Sequence, residues 1–208
     1  MKIRNHDALV STGERASREL VLAIVDDALD AVDAYRRIRG LMRLEGDVLH
    51  VGNRRWDLAT KRNVYLIGAG KACNAMAMAV DHVLGDRLTR GIAIVKIAEP
   101  GDVFGRTEVH VGGHPLPDRA GHEATRRILD LVDAAGADDL FVVVVSGGSS
   151  ALMNAPVEPI TVEDEALTTE VLLTSGLGIY EINAVRRHIS RTNGGRLAER
   201  IRARGAEL

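Results

Sequence analysis

Three short apolar runs in this chain each empty directly into a loop of small residues. Val64-Tyr65-Leu66-Ile67 leads into Gly68-Ala69-Gly70-Lys71-Ala72, and Val109 to Val111 leads into Gly112-Gly113-His114-Pro115-Leu116-Pro117-Asp118. Leu140 to Val145 leads into Ser146-Gly147-Gly148-Ser149-Ser150. Apolar runs of this length bounded by glycines read as strands. Helical patterns stand between them: an Ala/Met-rich stretch to about Leu84, and Asp118 to Ala135 with Ile128, Leu129 and Val132 on one side. Strands alternating with helices predict an α/β fold, three layers with a mostly parallel sheet covered on both faces. Leu140 to Val145, apolar on both faces, reads as a central strand of that sheet. In such sheets ligands bind outside the carboxyl ends of the strands, which is where all three loops lie.

The rest of the chain reads more conventionally. Ser11-Thr12-Gly13-Glu14 has the pattern of a capping box. It opens a helix whose apolar stripe runs through Leu20, Val21, Ile24, Val25, Ala28, Leu29, Val32 and Tyr35 until Gly40. Val48 to Leu58, turning at Gly52-Asn53, predicts a hairpin. Ile92 to Val95 is another strand, Thr161-Val162-Glu163-Asp164 opens a helix, and a further helix runs from Ile179 to Ile189. The 208 residues are 46% hydrophobic with a formal charge of −2, so no strong overall field recruits nucleic acid or an anionic membrane. No apolar run approaches the length of about 20 residues that spans a bilayer, and the start lacks a secretory h-region. The single cysteine, Cys73, can form neither an internal disulfide nor a cysteine-based zinc cage, and fits a reducing cytoplasm.

Each loop has a chemical reading beside a plain one. In Gly68 to Ala72, glycines allow backbone amides to approach a phosphate at a helix start. The spacing is not that of a P-loop, and Cys73 occupies the third position of a dinucleotide fingerprint. The plain reading is a tight strand-to-helix turn. Lys71 stands out because only four of the 27 basic residues are lysine. Ser146 to Ser150 can present several N–H groups to one anion. Its rivals are a flexible turn and a nucleophile elbow at Ser149, for which His188 is the one downstream histidine. His114 sits between proline-restrained positions, as a loop hydrogen-bonder or a substrate ligand. The seven histidines show no metal-ligand spacing, so no metal ligand is assigned. Asn183, Arg186 and Arg187 fall at helical spacing, as an anion-binding face or a solvated basic one.

Five segments together resemble the type II glycerate 2-kinase family: Gly68 to Ala72, Gly113 to Asp118, Ser146 to Leu152, Glu181 to His188 and Gly194 to Ala198. Older usage calls such proteins hydroxypyruvate reductases. The resemblance implies a Rossmann-like N-terminal domain over residues 1–208, followed in the family by a second α/β domain, with the active site between them. It implies ATP-dependent phosphorylation of D-glycerate at its 2-hydroxyl, with Mg2+ held mainly by the second domain. Lys71 is then catalytic. Gly68, Gly70, Ser146, Gly147, Gly148, Ser149 and Ser150 bind nucleotide phosphate, and His114, Asn183 and Arg186 bind substrate. Ser149 replaces a usual third glycine and Asn193 a common lysine. The family's acidic Ser-Asp-Val-x-Gly-Asp segment does not occur in the 208 residues, so the chain is expected to be a fragment inactive alone. The alternatives are an NAD(P)-dependent hydroxypyruvate reductase and a non-catalytic nucleotide- or glycerate-binding module. A cytoplasmic location follows, and homo-oligomer formation is left open.

Overall fold

The computed structural model describes residues 3–208. In chain order, α1 (His6–Val10), α2 (Arg15–Ala31) and α3 (Ala34–Leu41) precede a small sheet of β1 (Met42–Glu45), β2 (Val48–Val51) and β3 (Arg54–Asp57). The main body follows as β4 (Asn63–Ala69), α4 (Cys73–Leu84), β5 (Arg90–Val95), β6 (Thr107–Val111), α5 (Arg119–Asp133) and β7 (Asp139–Val145). It closes with α6 (Ser149–Leu152), α7 (Val162–Thr174), α8 (Ile179–His188) and α9 (Arg196–Ala203).

The main sheet is parallel throughout, in the order β6-β5-β4-β7. Counted from β4 as first, this is 3-2-1-4, with the reversal of strand order falling between β4 and β7. Alternate residues of each strand serve opposite faces. Val64, Leu66, Ala93, Val95, Leu140 and Val144 pack with α4 and the small sheet. Tyr65, Ile67, Ala69, Ile92, Ile94 and Phe141 pack with α5, α6 and α9. The result is three layers, as the alternating pattern predicted. Buried Asp81 ties α4 to the approach of β6, accepting from the amides of Gly105 and Arg106 and from Thr107 Oγ1.

Several expectations need correction. The N-terminal helix is two helices. Asp33 accepts from the amide of Arg36 and starts α3, so the helix breaks at Val32, and Gly40 lies inside α3. The box at Ser11 does not form; Glu14 caps α2 itself, accepting from the amides of Ala16 and Ser17, while Ser11 Oγ turns back to the carbonyl of Ala8. The apolar stripe of α2 is not buried: Leu20, Val21, Ile24 and Val32 are all more than half exposed. The hairpin is present but belongs to a three-stranded meander with β1. Finally, β7 lies at an edge of the sheet rather than at its centre.

Candidate anion site at the strand ends

The loops after β4, β6 and β7 meet. Ser146 N donates to the carbonyl of Ala69 at 3.0 Å, Lys71 N to the carbonyl of Gly147 at 2.9 Å, and Ala72 N to Ser146 Oγ at 3.0 Å. Gly70 makes this approach possible: at φ +133°, a Cβ there would stand 2.1 Å from Ser146 Oγ. Gly68 works similarly, since its Cβ would press on Cys73 Sγ at 2.5 Å. The amides of residues 70–73 are all spent inside the protein, the remaining two on Ile94 and Gly70 carbonyls. These glycines therefore serve close packing, and the loop's outcome is to hold Lys71 just outside the first turn of α4.

Gly148 is the centre of the arrangement. Its φ is +92°, and a Cβ would lie 2.8 Å from His114 Cδ2 and 3.3 Å from Lys71 Cγ. The imidazole and the lysine stem thus flank the glycine turn that joins β7 to the single turn of α6. Ser149 N turns back to the Ser146 carbonyl at 3.3 Å.

Positive charge bears on His114 from three side chains. Burial first, and then Lys71, Lys96 and Arg186, push its pKa below the ordinary histidine value. At neutral pH the ring is uncharged and can accept a hydrogen bond. Lys96 directly follows β5 and is exposed. Arg186 comes from α8; burial lowers its pKa, Glu165 opposes that, and its Nη2 has no partner among the described residues.

Behind Arg186 lies a buried polar group that the sequence reading did not find. Glu165 is 4% exposed, and burial raises its carboxyl to about 7 against the opposing pull of Asn154 and Arg186. Glu165 Oε2 and Asn154 Oδ1 are both unpartnered among the described residues, while Asn154 Nδ2 donates to the carbonyl of Asp118.

Lys71, His114 and Ser146 to Ser150 are therefore brought together, with the charge of Arg186 bearing on His114. Asn183 sits half-buried one turn before Arg186 on α8, and no hydrogen bond among the described residues ties its side chain to the loops. Lys96 was missed, although it ends an apolar run in the same way as the loops that were noticed. His188 is exposed and bonded to the carbonyl of Ala184, so it serves no nucleophile at Ser149. The side chains facing the loops are cationic, and no group of three or more His, Cys, Asp or Glu gathers among the described residues. That set suits an anion and does not fit a divalent cation.

Residues 20–207 match the family described as a domain of unknown function, DUF4147. A glycerate 2-kinase of Pyrococcus horikoshii is 37% identical over 191 residues, covering 92% of this chain and 42% of that protein. A crystal structure from Pyrococcus horikoshii OT3 superposes with a TM-score of 0.78 at 35% identity, over 91% of this chain and 42% of the other. The crystal structure of a Thermotoga maritima glycerate kinase gives 0.72 at 32% identity, over 90% and 42%. The chain thus spans less than half the length of these relatives. It belongs to the DUF4147 family, alongside proteins named glycerate kinases.

Proposed function

We propose that the strand-end cluster binds the phosphate end of ATP and the carboxylate of D-glycerate, as one side of a glycerate 2-kinase active site. The observation that carries this reading is the meeting of Lys71 and His114 about Gly148, at the switch point of a parallel sheet, with the charges of Lys96 and Arg186 bearing on His114. Phosphoryl transfer needs positioning and stabilisation of spreading negative charge, and cationic side chains supply both. Lys71 neutralises the transferred phosphate, beside the small-residue turn of Ser146 to Ser150. Arg186 and His114 orient glycerate, Arg186 by charge and His114 by hydrogen bonding, with Asn183 one turn away. Gly68 and Gly70 act by holding Lys71 in place. Mg2+ would accompany ATP, but this cationic set supplies no ligand for it.

A nicotinamide-dependent reductase is the weaker reading. Residues 70–73 have no amide to spare for a pyrophosphate, and burial pushes the Cys73 thiol to about 12, which marks it as a packing group. Calorimetric titration of the 208-residue chain with a non-hydrolysable ATP analogue, D-glycerate and NADPH separates the two. The kinase reading expects saturable binding of the first two. Lys71→Ala should weaken the ATP analogue about tenfold, the loss of roughly 1.4 kcal/mol, without lowering the melting temperature. Tight binding of NADPH, or ATP-analogue affinity unchanged in Lys71→Ala, would overturn it.

A further inference from the structure

Two groups of opposite charge lie buried near each other without closing a bond. Glu165 stands in the first turn of α7, 4% exposed, and Thr169 follows one turn later on the same face, also buried. Arg186 comes from α8, which packs on α7. Glu165 Oε2, Thr169 Oγ1 and Arg186 Nη2 are out of reach of solvent, and none has a hydrogen-bonding partner among the described residues. A buried polar atom without a partner costs stability, so each one calls for a physical reason.

The surroundings of the pair supply one. The charge of Arg186 is felt by Glu165 on one side and by His114 on the other, so the guanidinium stands between the α7 carboxyl and the strand-end loops. Asn154 lies against the carboxyl, and its Nδ2 donates to the carbonyl of Asp118 at 3.2 Å, at the root of the loop that carries His114. The other charged groups nearby are committed or turned to solvent. Glu163 pairs with Arg119 of α5, Asp164 caps α7 at Thr161, and Glu181 caps α8 at Gly178. Arg187 and His188 bond to carbonyls of their own helix, while Glu158, Glu170 and Arg191 are exposed. None of these, nor His122 of α5, bears on Glu165 as Arg186 does.

We propose that Glu165 is a positioning residue that competes with a bound anion for Arg186. While the carboxyl carries its proton, the guanidinium is free to serve an anion at the loops. When the carboxyl loses that proton, the two charges neutralise each other and the anion loses its partner. Anion binding and proton uptake by Glu165 therefore go together, each favouring the other by the same factor. Burial raises the carboxyl to about 7 against the pull of Asn154 and Arg186, which puts the exchange near neutral pH. The proposal rests on the reading of the strand-end loops as an anion site, with D-glycerate as the probe.

The first measurement needs no ligand. Carbon NMR follows the Glu165 carboxyl between pH 4 and pH 9, assigned by its loss in Glu165→Gln. The wild-type carboxyl should titrate at about 7, and that of Arg186→Gln about one unit higher. Titration in the ordinary carboxylate range, or a midpoint unmoved by Arg186→Gln, overturns the proposal and leaves the anion site standing. The second measurement is calorimetric titration with D-glycerate at pH 7 and pH 9, in buffers of different ionisation heat. Wild-type affinity should fall about fivefold over that range, with proton uptake on binding. His114 gains charge in the same sense, but below the ordinary histidine value and so outside this range. Glu165→Gln, uncharged at every pH, should keep at least the wild-type affinity of pH 7 throughout and take up no proton. A pH dependence that survives in Glu165→Gln, or binding at pH 9 weaker than wild type, overturns the proposal. A wild-type chain whose Glu165 titrates as expected but which binds no D-glycerate refutes the anion site itself, and the proposal with it.

Discussion

At Gly148 the backbone angle and a neighbouring ring impose the same requirement. A side chain there must adopt a left-handed conformation, at about 1–2 kcal/mol, and must also displace His114. Gly148→Ala should therefore lower the melting temperature by at least several degrees, at about 2–4 °C per kcal/mol, and weaken phosphate binding. Gly147→Ala, whose Cβ meets nothing closer than Lys71 Cε at 4.0 Å, should leave stability within about 0.5 kcal/mol. Thermal unfolding of the pair checks this. Glu165 makes a pH-dependent demand. Its carboxyl titrates near 4.5 when unfolded and at about 7 when folded, so the folded chain retains a proton that the unfolded chain has lost between those values. Stability falls as pH rises through that window, by about 3 kcal/mol once it is passed. Glu165→Gln should stabilise the chain at pH 8 and make little difference at pH 4, as denaturant midpoints at the two pH values would show. Lys71 was legible as a rare lysine in a glycine loop. Glu165 was not, because in sequence it is one of three acids in a helix's first turn, and only packing decides which of them is buried.

The elements divide in the same way, between what local chemistry specifies and what only a neighbour can decide. Thr161 to Asp164 reads as a helix start and is one, closed by a capping box: the amide of Asp164 donates to Thr161 Oγ1 and that of Thr161 to Asp164 Oδ2. Thr161→Ala should cost about 1 kcal/mol, readable as a shift in denaturant midpoint. At Ser11 the same pattern fails because Glu14 reaches its own helix amides first. The stripe on α2 and the apolar run of β7 are harder cases. Periodicity states which face is apolar, not what covers it, so an exposed stripe and a buried one read alike. A strand covered on both faces looks central even when one backbone edge is open. The α5–α9 contact shows the complementary limit. Arg200 of α9 and Arg204, which caps its end, hold Asp133 at the end of α5, keeping its carboxyl down at about 2, across a separation no local pattern reveals.

For the molecule as a whole, the layered parallel architecture was legible because three of the four strand-to-loop junctions of the main sheet announced themselves in composition. The order of the strands was not, since periodicity carries no information about neighbours. The parallel run of the strands places the site groups on one rim: Lys71 after β4, Lys96 after β5, His114 after β6 and Ser146 after β7. On the proposed reading this rim supplies part of a kinase active site, and the 208-residue chain is expected to bind ligands without turning them over. No glycerate-dependent ADP release above background is expected in a coupled assay of the purified chain, and robust release would place all the catalytic groups within residues 1–208. The bridge at Glu207 also has a practical side. It is a parallel pairing of Glu207 with Leu140, and it lays residues 207–208 down at the start of β7, running along the strand toward the loops. An affinity tag or surface tether fused directly after Leu208 is therefore aimed at the one region whose binding is to be measured. A fusion at the amino terminus, ahead of α1, has no such path laid out for it.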